Sequence, residues 1–426
     1  MHVVIIGNGI AGINAASALA AAEGVSVEVF AGESHAFYSR VRLGEVLSGA
    51  QPPEAITFYK PEWYEKKRIT VHTGKQALSI DRAGKTVMLS DGEKVSYDYL
   101  VLATGASANK PSIPGVDLSG AFTMRTLDDV AAIRKNISCY PETASVIGGG
   151  LLGLEAAKAL KDAGVKEVRV FERTPWLLAR QLDETGGSLL RKRYTKLGID
   201  VVCGAEVREF LADGPRAATV ALKDGRSYKS DTTILSMGVC PNTGLAKASG
   251  LTVSRGIVVD NHLRTDDPHI YAVGDCAEYC GVVWGIVPAA LEQAPVAAKS
   301  ILSAAGLIPE AAAPLYCQTV PKTALKIGDI EVMSFGKAVL TDDEASSGTY
   351  TVMSREDGAI DRYEKYVLTP AGVTAQGESR GGEPGGYILA GAILYGSKAH
   401  QGRVQKLSGN PVTLDEIKAL LEDFQQ

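Results

Sequence analysis

Six glycines in two sets carry the clearest chemistry in this sequence. Gly7, Gly9 and Gly12 stand in GNGIAG, and Gly148, Gly150 and Gly153 stand in GGGLLG. A turn of this spacing can cradle a pyrophosphate. The first glycine permits a tight bend, the second lets the backbone approach the phosphates, and the third lets a helix pack closely on a strand. The anion then lies at a helix N-terminus, where first-turn N–H groups lack intrahelical partners. A carboxylate at the end of the next strand can accept from ribose hydroxyls. Glu172 holds that place after the second set; after the first it is Ala31, and Glu33 is the nearest candidate.

Such a motif is informative only in its structural setting. Val3–Phe30 and Ala144–Phe171 both read as apolar strand, glycine turn, Ala/Leu-rich helix and second strand. Apolar runs ending in small turns follow at Tyr97–Gly105, Thr233–Gly238 and Ile270–Asp275. The second βαβ unit is nested between the first two of these runs, so one domain is inserted in another. Pro111 and Pro114 mark the outward crossing and Pro241 the return. Beyond about Pro314 the pattern alternates, at Thr323–Gly336, Arg362–Leu368 and Tyr387–Tyr395, as in antiparallel strands. GESRGGEPGG, from Gly377 to Gly386, reads as a loop, and Leu414–Phe424 as a closing helix capped by Thr413. The expected fold is α/β, with two Rossmann-like dinucleotide-binding domains and a small α+β C-terminal domain. Residues 1–111 and 242–312 would form the first, 112–241 the inserted one, and 313–426 the last.

Composition narrows the function. The chain has 426 residues, 45% apolar and 22% charged, with a net charge of −5, so no basic excess attracts a nucleic acid or an anionic membrane. The basic runs Lys66–Arg68 and Arg191–Arg193 read as solvated faces. No stretch approaches the roughly 20 apolar residues of a membrane span, and no leader is evident, so the expected location is cytoplasmic. Cys139, Cys203, Cys240, Cys276, Cys280 and Cys317 are scattered without metal-ligand spacing, and no metal site is expected.

Several segments together resemble a known family. GNGIAG, YSRVRL, LATGASANKPSIPG, RTLDD, GGGLLGLEAAKAL, LARQLDETGGSLLRK, GIVVDNHLRTDDPHIYAVGDCAE and VPAALEQAPVAA span most of the chain. They resemble the FAD- and NAD-linked reductases of rubredoxins and ferredoxins, and the flavin half of the NADH-dependent nitrite reductase. The resemblance implies that Gly7, Gly9, Ala11 and Gly12 hold the FAD pyrophosphate. Glu33, Arg40, Arg42, Ala77, Thr104, Gly105, Arg125, Asp275 and Val287 would complete the FAD site. Gly148, Gly150, Leu151, Leu152, Gly153, Glu172 and Gly238 would hold NAD(H). The implied activity passes electrons between NAD(H) and an iron protein, either a rubredoxin- or ferredoxin-like carrier or an iron–sulfur subunit of a complex such as an aldehyde or nitrite oxidoreductase. Hydride exchange is reversible, so either direction fits. An NADH oxidase using dioxygen and a non-catalytic NADH-binding redox sensor are the alternatives.

Two departures from the resemblance stand out. Many ferredoxin-reductase relatives carry a lysine at Glu45, paired with a glutamate at Glu155. Here both are acidic, and Arg40 or Arg42 would have to supply a cation. Glu155 and Arg42 are the residues suspected near the flavin. The large nitrite reductases also continue into a sirohaem and iron–sulfur half. This chain has no cysteine cluster of that kind, so it is not expected to reduce nitrite by itself. No cysteine precedes Cys139, and Ala36–Leu47 offers Tyr38, Ser39, Arg40 and Arg42 where disulfide reductases of the superfamily need a thiol. Lys398, His400, Arg403 and Lys406 read as a basic surface cluster able to steer an acidic partner. Glu172 beside the ribose favours NADH over NADPH, because its charge would repel a 2′-phosphate.

Overall fold

Runs of valine and isoleucine buried on both faces build the parallel sheets of this protein. A computed structural model describes residues 1–319, 322–327, 330–371, 386–397 and 399–423, without the side chains of 322–327 and 330. The chain divides into two units. The first comprises 1–109, 125–130 and 238–319, and the second comprises 110–124, 131–237 and 320–426.

In the first unit, β1 (His2–Ile6) leads through the glycine turn into α1 (Ile10–Leu19), then β2 (Ser26–Phe30), β3 (Ile69–His72) and β4 (Tyr99–Leu102). The sheet order is Ile270–Ala272, β4, β1, β2, β3, with every pairing parallel. Val3, Val4 and Ile5 are fully buried. Each such side chain contributes roughly 1.5–3 kcal/mol of burial free energy, which fixes the strand in the core. Register places Ile6 opposite both Phe30 and Leu102, and Leu102 opposite Ala272. The segments after Ile6, Leu102 and Ala272 therefore leave from one edge of the sheet. In an open parallel sheet this carboxyl edge is where ligands bind. The helix Val287–Ala304 packs against α1 behind it.

The second unit repeats the plan with β5 (Ala121–Thr123), β6 (Thr143–Ile147), α2 (Leu151–Asp162), β7 (Glu167–Glu172), α3 (Glu184–Lys196), β8 (Ile199–Cys203) and β9 (Thr232–Leu235). Its order is β8, β7, β6, β9, β5, again parallel throughout. Ile147 lies opposite Phe171 and Leu235, so Gly148 leaves the sheet as Gly7 does.

The C-terminal residues form an antiparallel sheet in the order β10 (Lys322–Ile327), β11 (Ile330–Gly336), β14 (Tyr387–Tyr395), β13 (Arg362–Pro370), β12 (Thr351–Asp357). Helices α4 (Gln401–Leu407) and α5 (Leu414–Glu422) follow. Their Val404, Ile417 and Leu420 pack with Tyr366, Leu368 and Leu394 of the sheet. Thr413 caps α5 as expected, in a reciprocal capping box with Glu416. Phe424 and the expected loop at 377–385 lie outside the described residues. Among the described residues no helix is long and apolar enough to cross a membrane.

The basic cluster expected in this region is corrected. His400 is not at the surface but buried, with 2% exposure. It lies at the N-terminus of α4, and its Nδ1 is 2.9 Å from Glu364 Oε2. Glu364 also accepts from Arg362 at 2.9 Å and Tyr366 at 2.6 Å, and this enclosed carboxylate draws the imidazole inward. Arg403 and Lys406 are exposed, and Lys398 lies outside the described residues.

Candidate functional site

In the first unit the glycines are dictated by backbone contacts. Gly7 has φ +116°, and a Cβ there would stand 2.1 Å from the Ala103 carbonyl oxygen. A Cβ on Gly12 would stand 1.9 Å from the Gly7 carbonyl oxygen. Gly9 differs: a Cβ there meets nothing within 4 Å, so it faces open space. Gly9 is also the N-cap of α1 and offers no side-chain oxygen to its first turn. The first-turn N–H groups are thus left for a ligand, and the surface of Gly9 is bare where a phosphate would approach. The residues present fit a dinucleotide.

Asp275, Thr104 and Gly105 leave from the same sheet edge, and Arg125 is tied to it. Asp275 follows Ile270–Ala272 and accepts from Arg125 at 2.7 Å. Arg125 also donates through Nε to the Ala106 carbonyl at 3.0 Å. Thr104 and Gly105 follow β4 and are tied to Asn242. The Thr104 hydroxyl donates to the Asn242 carbonyl at 2.7 Å, and the Asn242 N–H to the Gly105 carbonyl at 2.9 Å. Ala11 lies against Gly274, where a Cβ would come within 2.7 Å of the Ala11 Cβ. Val287 opens the helix behind the edge, and Ala77 opens the strand Ala77–Asp81.

Glu33 and Arg40 form a connected network. Arg40 pairs with Glu33. The Tyr38 hydroxyl donates to Glu33 at 2.5 Å and accepts from Arg40 at 2.9 Å and from the Leu127 N–H at 3.3 Å. Arg40 further donates to the Arg125 carbonyl at 2.7 Å. Burial, then the neighbouring Glu33, push the Tyr38 phenol well above its ordinary range, so it remains a proton donor. The carboxylate proposed for a ribose is therefore already held by two side chains of its own unit. The cation beside Glu45 is Arg42, which donates to both carboxylate oxygens at 2.9 and 2.7 Å. Those hydrogen bonds hold the Glu45 carboxyl below its usual value.

The second unit reproduces the cradle. Gly148 also has φ +116°, and a Cβ there would stand 2.2 Å from the Ser236 carbonyl oxygen. A Cβ on Gly153 would stand 2.0 Å from the Gly148 carbonyl oxygen, while Gly150 meets nothing within 4 Å. Gly150 is the N-cap of α2 and supplies no side-chain cap. Leu151 and Leu152 open the helix, the latter exposed. Glu172 ends β7 with its Oε2 accepting from the Gly149 N–H at 2.5 Å and its Oε1 from the Thr174 N–H at 2.8 Å. It thereby stands beside the glycine turn. Gly238 falls in the first unit, where its carbonyl accepts from the Asn109 N–H at 2.9 Å.

Glu155 lies one turn into α2 and is half-buried. Burial raises its carboxyl above the usual range. A carboxyl raised in this way contributes its full stability below its unfolded value, and that contribution is lost as pH rises through the folded value. Glu155→Gln should accordingly gain melting temperature relative to the parent as pH rises from below the ordinary glutamate range to neutrality. A difference that stays flat or shrinks over that range would contradict this assignment.

Two positioning residues, Gln293 and Asn242, were not singled out from sequence. Gln293 is buried, and its Oε1 accepts from the Gly274 N–H at 2.7 Å, fixing the turn that presents Asp275. Asn242 and Tyr38 act similarly through the bonds above. Tyr38 and Gln293 carried a signal, their places in YSRVRL and VPAALEQAPVAA.

Comparison with known proteins agrees with this geometry. The family model described as "Pyridine nucleotide-disulphide oxidoreductase" matches residues 1–300. A nitrite reductase [NAD(P)H] of Bacillus subtilis is 34% identical over 98% of this chain and 48% of its own length. The chain thus spans about half of that relative. An NADH-rubredoxin oxidoreductase of Clostridium acetobutylicum is 33% identical over 78% of this chain and 81% of its own. The crystal structure of a ferredoxin reductase from Rhodopseudomonas palustris superposes with a TM-score of 0.80 at 28% identity, covering 97% of this chain and 96% of that one.

Proposed function

The chain belongs to the pyridine nucleotide-disulphide oxidoreductase family, and on that footing we propose that it is an FAD-dependent NADH:acceptor oxidoreductase whose partner is an iron protein. The observation that carries the reading is the pair of matching cradles, each closed by a backbone carbonyl under its third glycine and left open at its second. Relatives named for rubredoxin and ferredoxin reduction support the class of partner. The partner is a rubredoxin- or ferredoxin-like carrier or an iron–sulfur subunit of a larger oxidoreductase.

A bound FAD would supply the chemistry that links a two-electron hydride donor, NADH, to a one-electron acceptor. The protein's own residues supply position and charge. Gly9 and the first turn of α1 receive the FAD pyrophosphate, while Arg125 and Asp275 fix the sheet edge beside it. Gly150 and the first turn of α2 receive the NADH pyrophosphate. Glu172, already oriented by Gly149, accepts from the adenosine ribose. Arg42 balances Glu45.

Glu172 also sets the choice of nicotinamide. Its charge disfavours a 2′-phosphate, so NADH is the better substrate. Glu172→Ala should raise KM for NADH about tenfold, the loss of one or two hydrogen bonds to a charged acceptor, with little change for NADPH. Equal use of both nucleotides by the parent would contradict this role.

The acceptor is tested by stopped-flow mixing of NADH-reduced protein with rubredoxin, with a ferredoxin and with air. An iron protein should reoxidise it faster than dioxygen does. Reoxidation by dioxygen at the full turnover rate, with no acceleration by any iron protein, would assign the chain as an oxidase instead.

A further inference from the structure

Asp183 connects two parts of the second unit that lie far apart in sequence. As the N-cap of α3, its Oδ1 accepts from the Gly186 N–H at 3.1 Å. Its Oδ2 accepts from the Tyr363 hydroxyl at 2.6 Å and from Lys365 Nζ at 2.9 Å. Tyr363 and Lys365 are two apart on β13 and so share one face of the strand. Arg362, Glu364 and Tyr366 occupy the other face, with His400. The ion pair is shielded, with side-chain exposure of 12% for Lys365 and 22% for Asp183. At the other end of the same helix, Lys196 pairs with Asp361 at 2.9 Å. Residues of β13 and of the turn before it thus pair with both ends of α3.

The segment that leads into Asp183, residues 173–182, runs from the ribose carboxylate and lies against the glycine turn. The Leu178 N–H donates to the Gly149 carbonyl at 3.1 Å. Leu177 is fully buried, and its Cδ2 stands 2.6 Å from where a Gly149 Cβ would be. The Trp176 Nε1 donates to the Leu182 carbonyl at 2.9 Å, and its ring lies 2.6 Å from where a Cβ of Gly187 in α3 would be. Leu178 is buried at φ +54°. A bulky residue keeps that left-handed conformation only where its surroundings hold it on both sides. Gly149 holds one side of this strap, and the Asp183 cap holds the other.

We propose that Tyr363 and Lys365, acting through Asp183, are positioning residues for NADH binding. The C-terminal sheet holds the strap in the strained form that supports the Gly149 turn. Affinity for the dinucleotide then depends on residues that do not touch it. By linkage, a partner that shifts β13 changes NADH affinity, and NADH changes that partner's affinity by the same factor. This inference rests on the reading of the second cradle as the NAD(H) site.

The test compares the parent with Asp183→Asn, which retains a capping oxygen, and with the Tyr363→Phe/Lys365→Met double variant. Asparagine caps a helix as well as aspartate does, so the first variant keeps α3 even if the second folds poorly. FAD content, steady-state kinetics with NADH and ferricyanide, and amide exchange over 176–182 are measured. We expect KM for NADH to rise about fivefold, the factor expected for one charge-assisted contact, with a smaller change in kcat. Exchange at 176–182 should accelerate while FAD content holds. An unchanged KM would overturn the proposal even if melting temperature fell, because the contact would then serve stability alone. A raised KM with unaltered exchange would overturn the route through the strap. Failure of the parent itself to bind NADH would instead refute the proposed function, and that outcome is seen without any variant.

Discussion

Gly12→Val should yield a folded protein with almost no FAD. The new Cβ would lie 1.9 Å from the Gly7 carbonyl oxygen and 3.3 Å from the Ala103 Cβ. Gly7 cannot retreat. Its N–H is bonded to the Phe30 carbonyl at 2.8 Å, and its own Cα already faces the Ala103 carbonyl. The only relief is to move α1 away from β1, which carries its first-turn N–H groups off the phosphate position. Losing that alignment costs two or more charge-assisted hydrogen bonds, so FAD affinity should fall at least about 100-fold. FAD released by acid, per mole of protein, measures it, with circular dichroism to show that the sheets persist. Retention of stoichiometric FAD would show that the first cradle is not the FAD site.

Gly153→Val should have the complementary effect. Its Cβ would lie 2.0 Å from the Gly148 carbonyl oxygen and 3.3 Å from the Ser236 Cβ. The same displacement then falls on α2. FAD should remain bound, because the first unit is untouched, but KM for NADH should rise about 100-fold or more. Steady-state dye reduction over a range of NADH concentrations checks this. Loss of FAD in this variant, with NADH kinetics preserved at added FAD, would reverse the assignment of the two cradles.

The two cradles were legible in the sequence because their constraint is local. A φ of +116° and a carbonyl two ångströms from a would-be Cβ admit only glycine, and the strand and helix on each side are written in adjacent residues. The sheet edge formed by Thr104, Gly105 and Asp275 was legible for a related reason, since small turns ended three apolar runs. What remained hidden was set by tertiary contacts. Glu33 read as the candidate ribose acceptor, and its bonds to Tyr38 and Arg40 were not foreseen, because only the fold of the intervening loop brings them together. Asp183 meets Tyr363 and Lys365 across 180 and 182 positions of sequence, a separation on which spacing carries no signal. His400 looked like a surface base among lysines and arginine. Burial of Glu364, whose partners are set by sheet register, turned it inward. Gln293 was passed over as one helix residue among many, because its task depends on which helix face meets Gly274.

We propose that the first unit binds FAD and the second binds NADH. Anaerobic titration of the purified protein with NADH tests it most directly. The protein should be yellow, with FAD as the only flavin released by acid, and its visible absorbance should bleach at about one equivalent of NADH, the stoichiometry of a single hydride transfer to one bound flavin. A protein that stays colourless after incubation with FAD, or a yellow one that excess NADH fails to bleach, would contradict it.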